Sequence, residues 1–197
     1  MIKTILVFVV VAVTGMCSGA SNAFLVVPLC RQAKSFTCGV ASLQSVLRYY
    51  GLEMRQDVLE KKLRTNRGGT RFPHIVAYAQ SCGFTAAWQT NMQYAQLQQA
   101  LDTGTPVIVA LQAWADEPVV YSNDWNDGHY AVAIGYDETN TYFMDPSTLG
   151  NYTFIPTGEF LDRWHDKDKR TTLIHLGIII SSTNGPCYDP TARAKME

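Results

Sequence analysis

The sequence predicts an α+β fold in which helices come first and an antiparallel sheet follows. Segments with the apolar spacing of helices occupy much of residues 38–101, whereas apolar and alternating segments typical of strands lie between residues 106 and 180. No internal repeat or linker-like stretch divides the chain. Because this segregation is typical of α+β proteins, we expect N-terminal helices packed on a C-terminal antiparallel sheet in one domain.

The strongest helix signal begins at Cys38 and runs to Tyr50. Five apolar residues in this segment share one helical face: Val40, Leu43, Val46, Leu47 and Tyr50. Gly51 can adopt the left-handed conformation that ends a helix, and the hydroxyl of Thr37 is expected to accept a hydrogen bond from the first turn. The same criteria predict further helices at residues 54–64, 73–81, 94–101 and 159–164.

Apolar and alternating segments predict the strands of the sheet. They lie at residues 106–111, 129–136, 142–144, 152–155 and 172–180. Asn140 is expected in the turn between the second and third of these strands. Residues 113–128 are polar and rich in aromatic side chains, and a loop of this length is usually functional. We therefore expect Trp114 and Trp125 to wall a cleft beside the strand that begins at His129.

The N-terminus is typical of a secretory signal. Lys3 precedes an apolar run at residues 5–13, and small residues at positions 18–23 offer cleavage sites. The apolar run is short for a membrane span, although an uncleaved anchor is an alternative. We expect residues 1–23 to be a signal peptide, residues 24–183 to be the folded domain, and residues 184–197 to be a loosely held tail. The mature protein would then be periplasmic or secreted, without stable membrane insertion.

Charge and composition restrict the classes of partner. The net charge is −1 with acidic and basic residues interspersed, whereas a dedicated nucleic-acid surface would be basic. The sequence has no Cys/His cluster with zinc-binding spacing, and it has neither a P-loop nor a dinucleotide-binding fingerprint. We therefore expect no nucleic-acid partner, no metal and no cofactor, and we expect a monomer.

Export would allow disulfides among the cysteines that follow the predicted signal. These cysteines are Cys30, Cys38, Cys82 and Cys187. If Cys38 is a free nucleophile, one disulfide and one free thiol among the other three is the simplest arrangement, and their spacing does not select the pair. Two structural disulfides that include Cys38 are the alternative.

Two residues near the first predicted helix could supply a nucleophile and an amide donor. Cys38 lies at the helix start, where oriented backbone N–H groups favour the thiolate. The side-chain amide of Gln32 could donate to an oxyanion together with the Cys38 N–H. A buried structural cysteine and a surface glutamine are the alternatives for these two residues.

His129 and Asp145 could supply a base and a carboxylate that orients it. His129 follows Gly128 at a predicted strand start, where a strand end can direct the imidazole into a cleft. Asp145 follows after a strand, a turn and a strand, so an antiparallel neighbour can bring its carboxylate to the ring. The Asp145-Pro146 pair is also typical of a turn. The chain has three other histidines, with less suitable flanks: His74, His165 and His175.

In order and spacing, these motifs resemble the C39 and C39-like peptidases, a branch of the papain-like cysteine hydrolases. The matching segments are Gln32 with Cys38-Gly39, Ala41-Ser42-Leu43, Tyr49-Tyr50-Gly51, Pro106-Val107-Ile108-Val109, Gly128-His129-Tyr130-Ala131-Val132-Ala133-Ile134-Gly135-Tyr136-Asp137 and Met144-Asp145-Pro146.

The resemblance implies a papain-like fold and a cysteine peptidase that acts on a peptide or protein substrate without a cofactor. It implies Cys38 as the nucleophile, His129 as general base and acid, Asp145 as its orienting group, and Gln32 as an oxyanion donor. The best-known C39 peptidases are domains of bacteriocin exporters and usually carry an aspartate where this chain has Thr37. We therefore expect a free-standing exported hydrolase.

Other functions stay open at this point. On the same scaffold, an amine could replace water, which would give the acyl transfer of transglutaminase-like relatives. A catalytically inactive papain-like domain that binds peptides is a different class, and a disulfide on Cys38 would favour it. A disulfide-stabilised secreted domain is the simplest alternative.

Overall fold

The computed structural model describes residues 24–193 and 195. The predicted signal peptide, residues 1–23, lies outside the described residues. Helices α1 to α5 are Cys38–Tyr49, Gln56–Lys62, Phe72–Ser81, Tyr94–Asp102 and Thr157–Arg163. Strands β1 to β8 are Thr85–Gln89, Val107–Gln112, Gly128–Tyr136, Asn140–Met144, Thr153–Pro156, His165–Asp168, Thr171–Ile174 and Gly177–Ser181. A short 3-10 turn, Tyr121–Asn123, lies in the long loop before β3.

Six strands form one antiparallel sheet in the order β1-β8-β2-β3-β4-β5. Strands β6 and β7 pair with each other in a separate two-stranded ribbon. Every residue of β2 is buried, as is every residue of β3 after Gly128. A strand buried on both faces reads as a continuous apolar run, which explains the sequence signal at 106–111.

Alternate residues of the central strands belong to two different cores. Helices α1 and α3 cover the face that carries Ile108 and Val132. Helices α4 and α5 cover the opposite face, which carries Leu111 and Ala131. The fold is therefore α+β with an antiparallel sheet, as predicted, and its helices lie on both faces of that sheet.

Helix α1 agrees with its sequence signal except at its first turn. All five predicted stripe residues are buried, and Gly51 ends the helix with a φ of +87°. Thr37 directly precedes the helix, but its hydroxyl bonds to both the N–H and the C=O of Lys34, each at 3.0 Å. The predicted capping bond is therefore wrong, because a local turn takes the hydroxyl and no side chain caps α1.

Three other details differ from the predictions. Strand β1 was not predicted, and it falls between α3 and α4, so the helices do not all come before the strands. The predicted strand at 172–180 is two strands, β7 and β8, separated by His175 with a φ of +45°. Asn140 begins β4, and the turn before it is held by Asp137, which accepts hydrogen bonds from the N–H groups of Thr139 and Asn140.

Part of the predicted loose tail is attached to the domain. The N–H groups of Cys187 and Tyr188 donate to the carbonyl oxygen of Tyr49 at 2.9 and 3.2 Å. The guanidinium of Arg48 lies 5.8 Å from the centre of the Tyr188 ring. The prediction is wrong at these two residues because the C-terminal segment returns to the end of α1.

None of the helices in the described part of the chain has the length and apolar character of a membrane span.

Gly39 allows the start of α1 to approach its neighbours closely. A Cβ at Gly39 would lie 2.9 Å from the Cβ of Thr70 and 3.1 Å from the ring of Tyr130. The side chains of Thr70 and Tyr130 therefore fill the space beside Gly39. Gly158 in α5 is exposed, and a Cβ there would meet no atom within 4 Å.

We expect Gly39→Ala to lower the free energy of unfolding by about 1–3 kcal/mol, because Thr70 and Tyr130 must move to admit the methyl group. Gly158→Ala is the matched helical control, and it should be neutral or stabilising by up to about 1 kcal/mol. Urea unfolding of both variants measures the difference. A Gly39→Ala variant as stable as wild type would contradict the close packing described for α1.

Candidate active site

The β3–β4 hairpin brings His129 and Asp145 together. Val132 lies opposite Met144 and Ala133 opposite Phe143, so His129 and Asp145 share one face and are diagonal neighbours across the two strands. His129 Nε2 and Asp145 Oδ1 are 2.7 Å apart. The predicted meeting of this histidine and this carboxylate is therefore present in the structure.

The carboxylate of Asp145 accepts hydrogen bonds from two further groups. The N–H of Ser147 donates to Oδ1 at 3.0 Å, and the hydroxyl of Thr148 donates to Oδ2 at 2.8 Å. Burial raises the pKa of Asp145, but these bonds and the His129 ring lower it below its usual range. The N–H of Thr148 also bonds to the Asp145 carbonyl at 3.1 Å, so Asp145 both begins a turn and contacts the histidine.

Cys38 lies next to these two residues. Its thiol interacts with the His129 ring and with the backbone N–H groups of Gly39 and Tyr130. Since Nε2 of His129 faces Asp145, Nδ1 is the ring nitrogen left for Cys38. Burial raises the pKa of the Cys38 thiol, but His129 and the two backbone donors outweigh burial, and the pKa is lowered.

The same contacts that lower the pKa of Cys38 raise the pKa of His129. Burial lowers the pKa of its ring, but the bonds to Asp145 and Cys38 raise it to about 9. A lowered thiol pKa beside a raised imidazole pKa favours a thiolate–imidazolium pair around neutral pH. Such a pair is the reactive form of a nucleophilic cysteine.

Cys30 shows what burial does to a thiol without such a partner. Burial raises the pKa of Cys30 to about 11, although the charge of Arg48 opposes this shift. In this structure none of the four described cysteines forms a disulfide: Cys30, Cys38, Cys82 and Cys187. The expected single disulfide is absent, and so are the two disulfides that would have included Cys38.

Gln32 is attached to the loop that follows Asp145. Its backbone N–H donates to the Pro146 carbonyl at 3.0 Å, and its Oε1 accepts from the Ser147 hydroxyl at 3.3 Å. Its Nε2 donates one hydrogen bond to the Lys34 carbonyl at 2.9 Å. The amide has a second N–H, and the Lys34 carbonyl, which can only accept a hydrogen bond, distinguishes the nitrogen end of the amide from the oxygen end.

The other histidines have structural partners. A ring nitrogen of each bonds to a backbone carbonyl: His74 to Leu63, His165 to Asp124, and His175 to Met92. Three residues that contact the site were missed: Tyr130 through its N–H, and Ser147 and Thr148 through Asp145. The Asp145-Pro146 pair indicates a turn in the sequence. Nothing in the sequence indicates which residues of that turn donate hydrogen bonds to the Asp145 carboxylate.

Two cavities reach the site from opposite faces of the sheet. A cavity of about 530 Å³ is lined by His129 and Asp145, and a second of about 550 Å³ is lined by Cys38 and Tyr130. Trp114 lines the first cavity, as expected. Trp125 lines neither of them, because its ring packs 4.4 Å from the ring of His165.

Among the described residues, no group of three or more His, Cys, Asp or Glu side chains is placed to hold a metal ion.

The fold and the motifs define a cysteine peptidase scaffold, and comparison with known proteins assigns the family. A model of the Peptidase_C39 like family matches residues 24–171, and the chain belongs to this family. A search of curated protein sequences finds no match.

Solved structures with the same fold include the proteases of two transporters. The peptidase domain of Streptococcus ComA, a bi-functional ABC transporter involved in a quorum sensing pathway, is 22% identical with a TM-score of 0.59, over 81% of this chain and 98% of that one. A double glycine motif protease from an AMS/PCAT transporter, solved with its leader peptide, is 21% identical with a TM-score of 0.58, over 82% of this chain and 95% of that one. At these identities, the likeness shows a shared fold.

We expect iodoacetamide at about pH 6 to alkylate Cys38 rapidly, because its lowered pKa leaves thiolate at a pH where a thiol of ordinary pKa (~8.5) is protonated. In His129→Ala the burial of Cys38 remains and its partner is lost, so labelling at this pH should fall at least about tenfold. Peptide mapping by mass spectrometry measures both rates.

Cys30 is the internal control for this labelling, since its raised pKa should leave it unlabelled. Labelling of Cys82 and Cys187 in preference to Cys38 would contradict the thiolate–imidazolium pair. Equal rates for Cys38 in wild type and His129→Ala would contradict it as well.

Proposed function

We propose that this protein is a cysteine peptidase that hydrolyses peptide bonds with Cys38 as its nucleophile. One observation carries the proposal: in a chain of the C39-like family, Cys38, His129 and Asp145 form a series in which the thiol interacts with the imidazole and the imidazole bonds to the carboxylate. The series has a nucleophile, a base and an orienting carboxylate in the order that thiol hydrolysis requires.

In the proposed acylation step, the Cys38 thiolate attacks the carbonyl carbon of the scissile amide. A C–S bond forms, and the carbonyl oxygen becomes an oxyanion. When the intermediate collapses, the C–N bond breaks, and His129 gives its Nδ1 proton to the departing amine. The bond from Nε2 to Asp145 holds the ring in the orientation that this transfer needs.

In the proposed deacylation step, water replaces the departed amine. Neutral His129 removes a proton from this water as the oxygen attacks the thioester carbon. The C–S bond then breaks, the acid product leaves, and the Cys38 thiolate and His129 imidazolium are restored. No cofactor takes part in either step.

We propose that the Cys38 N–H and the Gln32 amide stabilise the oxyanion in both steps. Two observations support this role. No side chain caps α1, so no capping group takes the Cys38 N–H at the positive end of the helix. The Ser147 hydroxyl and the Pro146 carbonyl hold Gln32 beside the loop that carries Asp145.

We propose peptides or proteins as substrates and an exported location for the enzyme. The AMS/PCAT protease that shares this fold was solved with a bound leader peptide, which supports a peptide substrate. The proposal of export rests on the N-terminal sequence alone, with its basic residue, short apolar run and small residues.

Hydrolysis should disappear in both Cys38→Ala and His129→Ala, because neither variant can form the thiolate–imidazolium pair. The measurement is cleavage of a mixed peptide library followed by mass spectrometry. Circular dichroism provides the control that each variant is folded. Unchanged cleavage in either folded variant would exclude the mechanism.

Addition of a primary amine separates hydrolysis from acyl transfer, since an acyl transferase would yield amide products where a peptidase yields free acids.

Gln32→Ala should lower kcat by about 10²-fold, the usual cost of one oxyanion donor. Because the nucleophile stays in place, Cys38 should still be alkylated at about pH 6. Gln99→Ala is the matched control, since Gln99 is an exposed residue of α4 whose side chain has no hydrogen bond within the described chain. Equal kcat values for the two variants would exclude Gln32 as an oxyanion donor.

A further inference from the structure

The two cavities at the site differ in chemistry and lie on opposite faces of β3. Strand residues alternate between faces, so His129 faces one cavity while Gly128 and Tyr130 face the other. Cys38 lines only the second of these cavities. A peptide bond held between Cys38 and His129 would therefore have one cavity on each side of it.

The cavity that contains His129 is lined mainly by apolar and aromatic side chains, and we call it the aromatic pocket. Its floor is formed by apolar residues of four neighbouring strands: Leu111, Ala131, Phe143 and Ile155. Trp114 and Phe154 also line it, and they are 57% and 60% exposed. Large aromatic side chains exposed at the rim of a concave site are typical of a surface that binds an apolar group.

The cavity that contains Cys38 is polar and carries an excess of positive charge, and we call it the charged pocket. It is lined by four basic and two acidic side chains: Arg64, Arg71, Lys167, Lys169, Asp166 and Asp168. Arg71 and Asp168 neutralise each other, with Nε 3.0 Å from Oδ1 and 3.1 Å from Oδ2. The remaining charges are three basic groups and Asp166.

The carboxylate of Asp166 lies at one side of this pocket, against Gln112 and Gly128. This carboxylate accepts a hydrogen bond from Gln112 Nε2 at 3.3 Å and lies so close to Gly128 that any Cβ there would collide with it. Burial raises its pKa. By contrast, Arg64, Lys167 and Lys169 are exposed, and within the described residues none of them forms an ion pair with an acidic side chain.

The chemistry of the peptidase reaction assigns a direction to the peptide. His129 must protonate the departing amine, so the residue that follows the scissile bond leaves on the side of His129. Cys38 keeps the acyl part, so the residues that precede the scissile bond lie on the side of Cys38. The aromatic pocket therefore faces the leaving residue, and the charged pocket faces the acyl residues.

We propose that the enzyme selects peptides with acidic residues before the scissile bond and a large apolar or aromatic residue directly after it. This inference rests on the proposed peptidase function. It adds a substrate class to that function, with one pocket responsible for each half of the preference.

The test of the charged pocket compares peptides with two Glu, two Gln or two Lys residues before a common cleavage position. In wild type, kcat/KM should be about fivefold higher for Glu than for Gln, the scale expected of two exposed ion pairs, and lowest for Lys. Raising the salt to about 0.5 M should reduce the preference by screening. Mass spectrometry of the products identifies the bond that is cut.

The double variant Lys167→Glu/Lys169→Glu should abolish or reverse this preference. Its matched control is Lys61→Glu/Lys62→Glu, which changes the net charge equally at two exposed residues of α2 that line neither pocket. An unchanged preference in the first variant, or an equal loss in the control, would overturn the role of the charged pocket.

The test of the aromatic pocket compares peptides with Phe or Ala directly after the cleavage position. Trp114→Ala should lower kcat/KM for the Phe peptide by about tenfold and change it little for the Ala peptide, because only Phe fills the pocket. Trp88→Ala is the matched control, since Trp88 is 49% exposed on β1 and lines neither pocket. Equal losses for both peptides in Trp114→Ala would overturn this half of the proposal.

Binding to Cys38→Ala separates this inference from the peptidase function. Selective binding of the Glu- and Phe-containing peptide without turnover by wild type would support the pockets and exclude the peptidase. Turnover without either preference would exclude the pockets and support the peptidase. Neither binding selectivity nor turnover would exclude both.

Discussion

The contact between His129 and Asp145 is the interaction on which the site depends. Both side chains are buried, and a buried charge is costly unless it is paired and hydrogen-bonded. Here the imidazole, the Ser147 N–H and the Thr148 hydroxyl together satisfy the carboxylate. Because β3 lies between two helical layers and pairs with β4, the contact is held by the sheet and does not rely on a free loop.

The two buried cysteines show how strongly the surroundings of a thiol determine its chemistry. Burial acts on Cys30 and Cys38 in the same direction, toward the protonated thiol. Cys38 differs because His129 and two backbone N–H groups contact its sulfur, and these donors favour the thiolate. Position at a helix start contributes to this environment, but the imidazole comes from a strand far along the chain.

The end of β3 explains why two chemically different pockets meet at one point. Residues of an antiparallel strand alternate between its faces, and here each face has its own helical layer. Helix α1 brings Cys38 to the face of Tyr130, while His129 faces the layer built from α4 and α5. A site at such a strand end can therefore present different surfaces to the two halves of one substrate.

The strongest local patterns predicted their parts of the molecule well. The apolar stripe of α1 was recognised because a period of 3.6 residues is a property of the chain itself. The meeting of His129 and Asp145 followed from a short hairpin, which constrains both residues within one local unit. The antiparallel sheet and the helices that precede most of it were also predicted from local patterns, the spacing of apolar residues along each segment.

Other features depended on contacts between distant segments, and only the tertiary structure decided them. Trp125 packs on His165, and Gln32 is bonded to Ser147. The split of the predicted strand at His175 arises because its two halves pair with different partners, β6 on one side and the main sheet on the other. Periodicity along a chain reports which residues are buried, whereas the partner that buries them is chosen by the packing of the whole domain.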